Sequence, residues 1–460
     1  MFRSHLVLGS VALAAASAAL PAFAQSSAGK PPGLDRLQHV IVVYMENHSF
    51  DNLIGDFPGA DGRANAGKAA IQVDRDGTPY KTLPPVYNAY SKPPGPDSRF
   101  PSDLPNQPFL IDKYVPQDAT VPDLVHRYYQ EIEQIDGGKM DKFAAISDAQ
   151  GLTMGYHDSS KTRLWQYARE FTVADHFFHA AFGGSFLNHF WTVCACTPRF
   201  ENAPERIVAK LRPDGTMEKD GQVTPDGFAV NTTFSTYQPH PASITDPSVL
   251  LPPQTLPNIG DRLSEKNISW AWYSGGWNAA LAGNPDPSFQ FHHQVFAYFK
   301  NYADGTEAKR QHLKDESDML ADIEAGTLPA VVFYKPLGLD NEHPGYADIT
   351  EGDLHVTAII DKIRHSKLWA SSAIIVTYDE HGGYWDHVAP PKADRWGPGV
   401  RVPTVIISPF AKRHHVDHTS YDTTSILRLV EERFDLAPLG ERDAKANDLR
   451  GAFDFTAKAK

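Results

Sequence analysis

Several short apolar runs, rich in β-branched residues, stop abruptly at polar groups. His39-Val40-Ile41-Val42-Val43-Tyr44-Met45 ends in Glu46-Asn47-His48. Ala373-Ile374-Ile375-Val376-Thr377-Tyr378 ends in Asp379-Glu380-His381-Gly382-Gly383, and Ala330-Val331-Val332-Phe333-Tyr334 runs into Lys335-Pro336. Apolar runs this short, without alternation, are the profile of strands covered on both faces, as in parallel sheets. Val402 to Pro409 reads as a further strand. From Asp353 to Trp369 the positions Val356, Ile359, Ile360, Ile363 and Leu368 have helical periodicity, and Asp422 to Phe434 reads as an amphipathic helix with Asp422 as N-cap. Strands alternating with helices predict an α/β fold with a mostly parallel central β-sheet flanked by helices.

Other stretches are less regular. Residues 76–122 are Pro-rich and read as an extended surface excursion, and residues 200–256, rich in Pro, Thr, Gly and Ser, read as an insertion or lid. The N-terminus has the order of parts of a secretory signal peptide: Arg3, an uncharged apolar run from Leu6 to Leu20, then Ala22-Phe23-Ala24 as a cleavage pattern. The expectation is a leader over residues 1–24 and a single domain over 25–460, periplasmic or secreted. Nothing further along reads as a membrane span.

Composition adds constraints. Hydrophobic residues at 41% and charged residues at 22% are ordinary for a globular protein. A net charge of −13 argues against a nucleic-acid coat or an anionic membrane surface as partner, so a phosphate site here must be made locally positive by metal or histidine. The 20 histidines are many for this length, and several are clustered. Cys194 and Cys196 are separated by one residue; export permits a disulfide, but an i,i+2 bridge is strained, and two packed thiols are at least as good a reading.

In open parallel sheets, ligands bind at the carboxyl ends of the strands. Glu46-Asn47 and Asp379-Glu380 occupy that position on two strands and offer hard oxygen donors, which suit one divalent ion of the Ca²⁺, Mg²⁺ or Mn²⁺ type better than zinc. In Phe182-Gly183-Gly184-Ser185-Phe186-Leu187-Asn188-His189 two glycines allow a sharp turn that would let Ser185 stand clear of its own chain. It is not the α/β-hydrolase elbow, because no glycine lies two residues beyond the serine. Cys196-Thr197-Pro198-Arg199 nearly mimics a sulfatase signature, but the arginine comes one residue early. His292-His293 sits between aromatics, His343 lies in Asn341-Glu342-His343-Pro344, and His126 lies in a stretch read as helical, Val121 to Arg127. Imidazoles of this kind ligate metal, act as bases or clamp phosphate.

Taken together, these strings resemble the bacterial phosphoesterase family that includes phospholipases C and AcpA-type acid phosphatases. His39 to Asn52 resembles its opening signature, Gly137 to Phe143 and Asp175 to Phe178 look like later blocks, and Thr377 to Val388 looks like its most distinctive one. The resemblance implies an alkaline-phosphatase-like core, with a metal held by Glu46, Asn47, Ser185, Asp379 and Glu380, and His126, His292, His293 and His343 around the phosphate. The Gly-Gly-Ser segment and His292-His293-Gln294 look more like the acid phosphatase branch than the phospholipase C branch. The expected function is therefore an exported, metal-dependent acid phosphatase that hydrolyses small phosphate monoesters through a phosphoserine at Ser185. Charged imidazoles clamping phosphate would favour an acid optimum. The alternatives are a phospholipase C-type phosphodiesterase and a non-catalytic exported phosphate- or carbohydrate-binding protein, which would lack a nucleophile beside the metal.

Overall fold

The structure, a computed structural model, describes residues 33–456. The expected leader at residues 1–24 lies outside the described residues. Eight strands form the main sheet: β1 His39–Met45, β2 Thr172–Ala174, β3 Trp270–Ser274, β4 Leu313–Asp315, β5 Val331–Lys335, β6 Ser372–Tyr378, β7 Thr404–Ile407 and β8 His415–Asp417. Their order across the sheet is β4-β3-β5-β1-β6-β7-β2-β8. β7 runs antiparallel to both neighbours and every other pairing is parallel, so the sheet is the mostly parallel one expected. The central strands β1, β5 and β6 are buried along nearly their whole length, which is why their sequences run apolar without alternation.

Helices cover both faces: α1 Tyr128–Ile135, α2 Arg163–Glu170, α3 Ser185–Cys194, α4 Glu316–Ala325, α5 Ile349–Arg364 and α6 Thr424–Phe434. Tyr44 and Tyr334 show the two sides. Tyr334 is level with Val43 and therefore faces away from Tyr44. The Tyr334 hydroxyl reaches Glu316 in α4 and His355 in α5, whereas Tyr44 reaches Asn188 and Thr192 in α3. Helix α5 starts before the expected Asp353, with Asp348 as N-cap accepting from Glu351 N. Helix α6 starts just beyond Asp422, whose carboxylate accepts from Thr424 N at 2.7 Å.

One expectation is corrected and one open alternative is decided. Residues 76–122 are not simply a surface excursion: Leu83, Val86, Phe100, Leu104, Phe109, Ile111, Val115 and Val121 are buried in a second, smaller core with Phe143, Tyr384 and Trp385. The prolines break regular structure without preventing burial, because isolated backbone polar groups are met by bonds such as Leu83 N to Leu104 O. The cysteines are not packed thiols, because Cys194 and Cys196 form a disulfide. Ala195 between them has φ 46°, and this left-handed turn at the end of α3 brings the two Cα atoms to 5.1 Å, within the range a disulfide spans. Among the described residues no helix is long and apolar enough to cross a membrane.

Candidate active site

Parallel neighbours deliver the oxygen donors side by side. Met45 at the end of β1 is level with Tyr378 at the end of β6, so Glu46 and Asp379 leave the sheet together. Glu46, Asn47, Asp379 and Glu380 are all completely buried. Asn47 takes a left-handed conformation, φ 69°, which asparagine tolerates better than most residues. Gly382 packs against it so closely that a Cβ there would stand 2.2 Å from the Asn47 carbonyl oxygen.

Ser185 is the first residue of α3, and its hydroxyl donates to Asn47 Oδ1 at 3.4 Å. The two glycines before it are needed for close approach. A Cβ on Gly183 or Gly184 would lie 2.7 Å from Tyr128 N or His126 O, respectively. That approach also explains a departure from the sequence reading: residues 121–127 are not helical but irregular, and α1 begins only at Tyr128. The end of this irregular segment, His126 to Tyr128, is the surface on which the Gly-Gly turn rests.

His126 Nδ1 lies 2.5 Å from Leu124 O, so this nitrogen carries the proton and Nε2 is left as an acceptor, 3.3 Å from Asn47 Nδ2. The amide of Asn47 is thereby turned with its oxygen toward Ser185. His293 Nε2 stands 2.5 Å from Glu46 Oε1, and His343 Nε2 stands 3.6 Å from Glu46 Oε2. The ring of His292 meets that of His293 edge-on, with centroids 4.6 Å apart. Glu46, Ser185 and all four histidines line one cavity of about 310 Å³. Each residue singled out from the sequence thus falls in a single cluster, with a hydroxyl beside the carboxylates.

Two members were not singled out. Lys335, the completely buried last residue of β5, places its ammonium 2.8 Å from Glu46 Oε1 and 3.5 Å from Asp379 Oδ2. The signal was present in the sequence, since a cation ends an apolar run at the same sheet edge as Glu46 and Asp379. His189 lies one helical turn beyond Ser185, bonds the Ser185 carbonyl at 2.7 Å and stacks on His293 with centroids 5.0 Å apart. Its i+4 spacing from Ser185 was the available clue.

The donor set fits a divalent cation. Asp379 Oδ2 and Glu380 Oε1 are buried without a hydrogen bond, and Glu46 Oε1 meets only the Lys335 ammonium and the His293 imidazole. Three carboxylates bring three negative charges and Lys335 one positive, which leaves two for a cation to balance. Burial and the neighbouring Glu46 charge push the Asp379 carboxyl up, and burial with Asp379 pushes Glu380 up. Burial also acts to raise Glu46, but His293 and Lys335 outweigh it and hold this carboxyl well below its usual value.

The same burial works against the expected basis for an acid optimum. It lowers His126, pushes His292 well down and takes His293 to about 4, so burial disfavours the charged form of each of these imidazoles. Charged imidazoles clamping phosphate are therefore not a property of this site by itself.

Residues 37–437 match the Phosphoesterase family. Phospholipase C A of Mycobacterium tuberculosis is 25% identical over 470 aligned residues, covering 93% of this chain and 79% of that protein. The non-hemolytic phospholipase C of Pseudomonas aeruginosa is 23% identical, covering 98% of this chain and 63% of that one. A solved protein of the alkaline phosphatase superfamily from Vibrio parahaemolyticus superposes over 72% of this chain and 73% of its own, with 10% identity and a TM-score of 0.35. With the family matched over nearly the whole described chain, the protein belongs to the Phosphoesterase family and is a phosphoric ester hydrolase.

Proposed function

We propose that this chain is a metal-dependent phosphatase that cleaves phosphate monoesters with Ser185 as nucleophile. The observation that carries the reading is the position of the Ser185 hydroxyl: at the start of a helix, 3.4 Å from Asn47 Oδ1, at the wall of a polar cavity that Glu46 also lines. A divalent cation held by Glu46, Asn47, Asp379, Glu380 and Ser185 would lower the effective pKa of the serine hydroxyl and screen its charge from the phosphate; the all-oxygen set favours calcium, magnesium or manganese.

Ser185 Oγ attacks phosphorus in line with the departing oxygen, so the Ser–O–P bond forms as the ester P–O bond breaks and the alcohol leaves with a proton. Water then attacks the phosphoserine, releasing inorganic phosphate and restoring the hydroxyl. Asn47, oriented by His126, keeps the hydroxyl aimed. His292, His293 and His343 border the phosphate oxygens, and a bound phosphate dianion would draw protons onto them, supplying the charge that burial otherwise withholds. Asn231 and Thr232, from the 200–256 stretch, border the same cavity and support reading that stretch as an insertion that acts as its lid.

Ser185→Ala is expected to lower turnover by at least about a thousandfold while the far-ultraviolet circular dichroism stays unchanged; near-normal turnover would remove the serine from the mechanism. A second reading, a phospholipase C-type diesterase, is favoured by the relatives, which are phospholipases C. Paired assays decide: kcat/KM for p-nitrophenyl phosphate is expected to exceed that for p-nitrophenyl phosphorylcholine, and the opposite order would establish the diesterase.

A further inference from the structure

A second set of ligand-type side chains lies behind the nucleophile turn, outside the cavity lining. Glu131 comes from α1, His179 from the segment leading into Gly183-Gly184, and His381 follows Glu380. All three are completely buried. One carboxylate oxygen and one nitrogen from each imidazole lie within 4.8 Å of one another. Of the four such groups among the described residues, this one alone is wholly buried.

The hydrogen bonds around the group fix its polarity. His381 Nδ1 donates to Tyr384 O at 2.9 Å and His179 Nδ1 donates to Asn188 Oδ1 at 3.4 Å, so each Nε2 presents a lone pair inward. These Nε2 atoms stand 2.9 Å (His179) and 3.7 Å (His381) from Glu131 oxygens, yet neither is aligned as a hydrogen bond and neither has another partner. The rings lie parallel, with centroids 5.4 Å apart and planes 10° apart. Two lone pairs facing a carboxylate repel unless a cation or a proton lies among them. Among the described residues no lysine or arginine pairs with Glu131. Its oxygens are held instead by the backbone N–H groups of Gly183, at 2.5 Å, and Val400, at 3.1 Å. Gly399 packs closely against the group, since a Cβ there would fall 2.1 Å from His179 Cε1 and 2.5 Å from Glu131 Oε1.

We propose that Glu131, His179 and His381 hold a zinc-class transition-metal ion, separate from the divalent cation of the catalytic centre. Two imidazoles and a carboxylate are the donor set such ions take, and nitrogen ligation sets the site apart from the oxygen-only catalytic set. Ligands about 2.1 Å from a tetrahedral centre lie about 3.4 Å apart, and the one carboxylate faces both imidazoles, with Oε1 2.9 Å from His179 Nε2 and Oε2 3.7 Å from His381 Nε2. Imidazoles whose other nitrogen is tied to a protein acceptor are the usual form of metal-ligating histidine. The ion would tie Gly183, two residues before Ser185, to His381, one residue after Glu380, and so brace the nucleophile against the carboxylates.

The test is a metal count that does not depend on activity. Protein stripped with chelator is incubated with zinc in excess calcium, gel-filtered and measured by elemental mass spectrometry. Wild type is expected to keep about one zinc per chain, Asp379→Asn to keep it as well, and His179→Asn and His381→Asn each to lose it. Wild type that retains no zinc overturns the proposal whether or not the variants fold, and would point to a proton shared between Glu131 and His179. Zinc kept by both histidine variants but lost from Asp379→Asn overturns it too, by placing the ion in the catalytic centre. Should the histidine variants fail to fold, X-ray absorption of zinc-loaded Asp379→Asn decides: two imidazoles in the first shell support the site, and an oxygen-only shell overturns it.

Discussion

A lysine with no exposed surface, wedged between carboxylates, is an unusual expense in a fold, and Lys335 is held there by Glu46 and Asp379. Removing one partner of a buried charge group leaves the others unbalanced. Lys335→Met is therefore expected to destabilise the chelator-treated protein by about 3–5 kcal/mol, and less when a divalent cation is present, because a site that has lost the repelling ammonium binds the cation more tightly than wild type does. Chemical denaturation in both conditions checks this; equal losses would separate the lysine from the cation site. At this scale the sequence was read best where residues came in pairs. Glu46-Asn47 and Asp379-Glu380 stand at matching strand ends, whereas Lys335 and His189 are single residues whose meaning comes from neighbours distant in sequence. The tautomer of His126, and with it the orientation of Asn47, depends on one backbone carbonyl that no pattern reveals.

Between residues and fold stands the turn into α3. Gly184 has an extended backbone, φ −90° and ψ −174°, that any residue could adopt, so its requirement is steric. An added Cβ would meet His126 O at 2.7 Å and His126 Cδ2 at 3.2 Å. Gly184→Ala is expected to push the helix start away from Asn47 and lower kcat by about 100-fold, with a loss of only about 1–3 kcal/mol in stability. A kcat and KM determination beside a thermal melt distinguishes this from unfolding, and unchanged kcat would show that the turn tolerates displacement. The strands were legible because burial on both faces writes an unbroken apolar run, and β1 coincides with its predicted span. The direction of β7 was not legible, since an antiparallel strand in the middle of such a sheet is as apolar as its neighbours. The stretch before α1 misled because its apolar residues serve the second core rather than a helix face.

For the molecule as a whole, one buried carboxyl couples stability to pH. Glu431 in α6 is pushed up to about 9, first by burial and then by the adjacent Asp443 carboxylate. Its folded value lies above the ordinary 4.5, so the stability it contributes is complete below that pH and is lost as pH rises toward about 9. Glu431→Gln removes this loss and is expected to be more stable than wild type at pH 8 by on the order of 2 kcal/mol, with the difference closing near pH 4.5. Paired thermal melts measure it; a less stable variant at pH 8 would mean that Glu431 is ionised in the fold.

The second core reaches the catalytic centre through Tyr384 and Trp385, only four and five residues beyond Glu380. Trp385 donates from its indole to Met140 O at 2.9 Å, and its carbonyl accepts from Ser49 at 2.7 Å, just past Asn47. The irregular, proline-rich portion is thus a keystone that also lends Tyr90 to the catalytic cavity, and trimming it away is expected to cost the chain its catalysis.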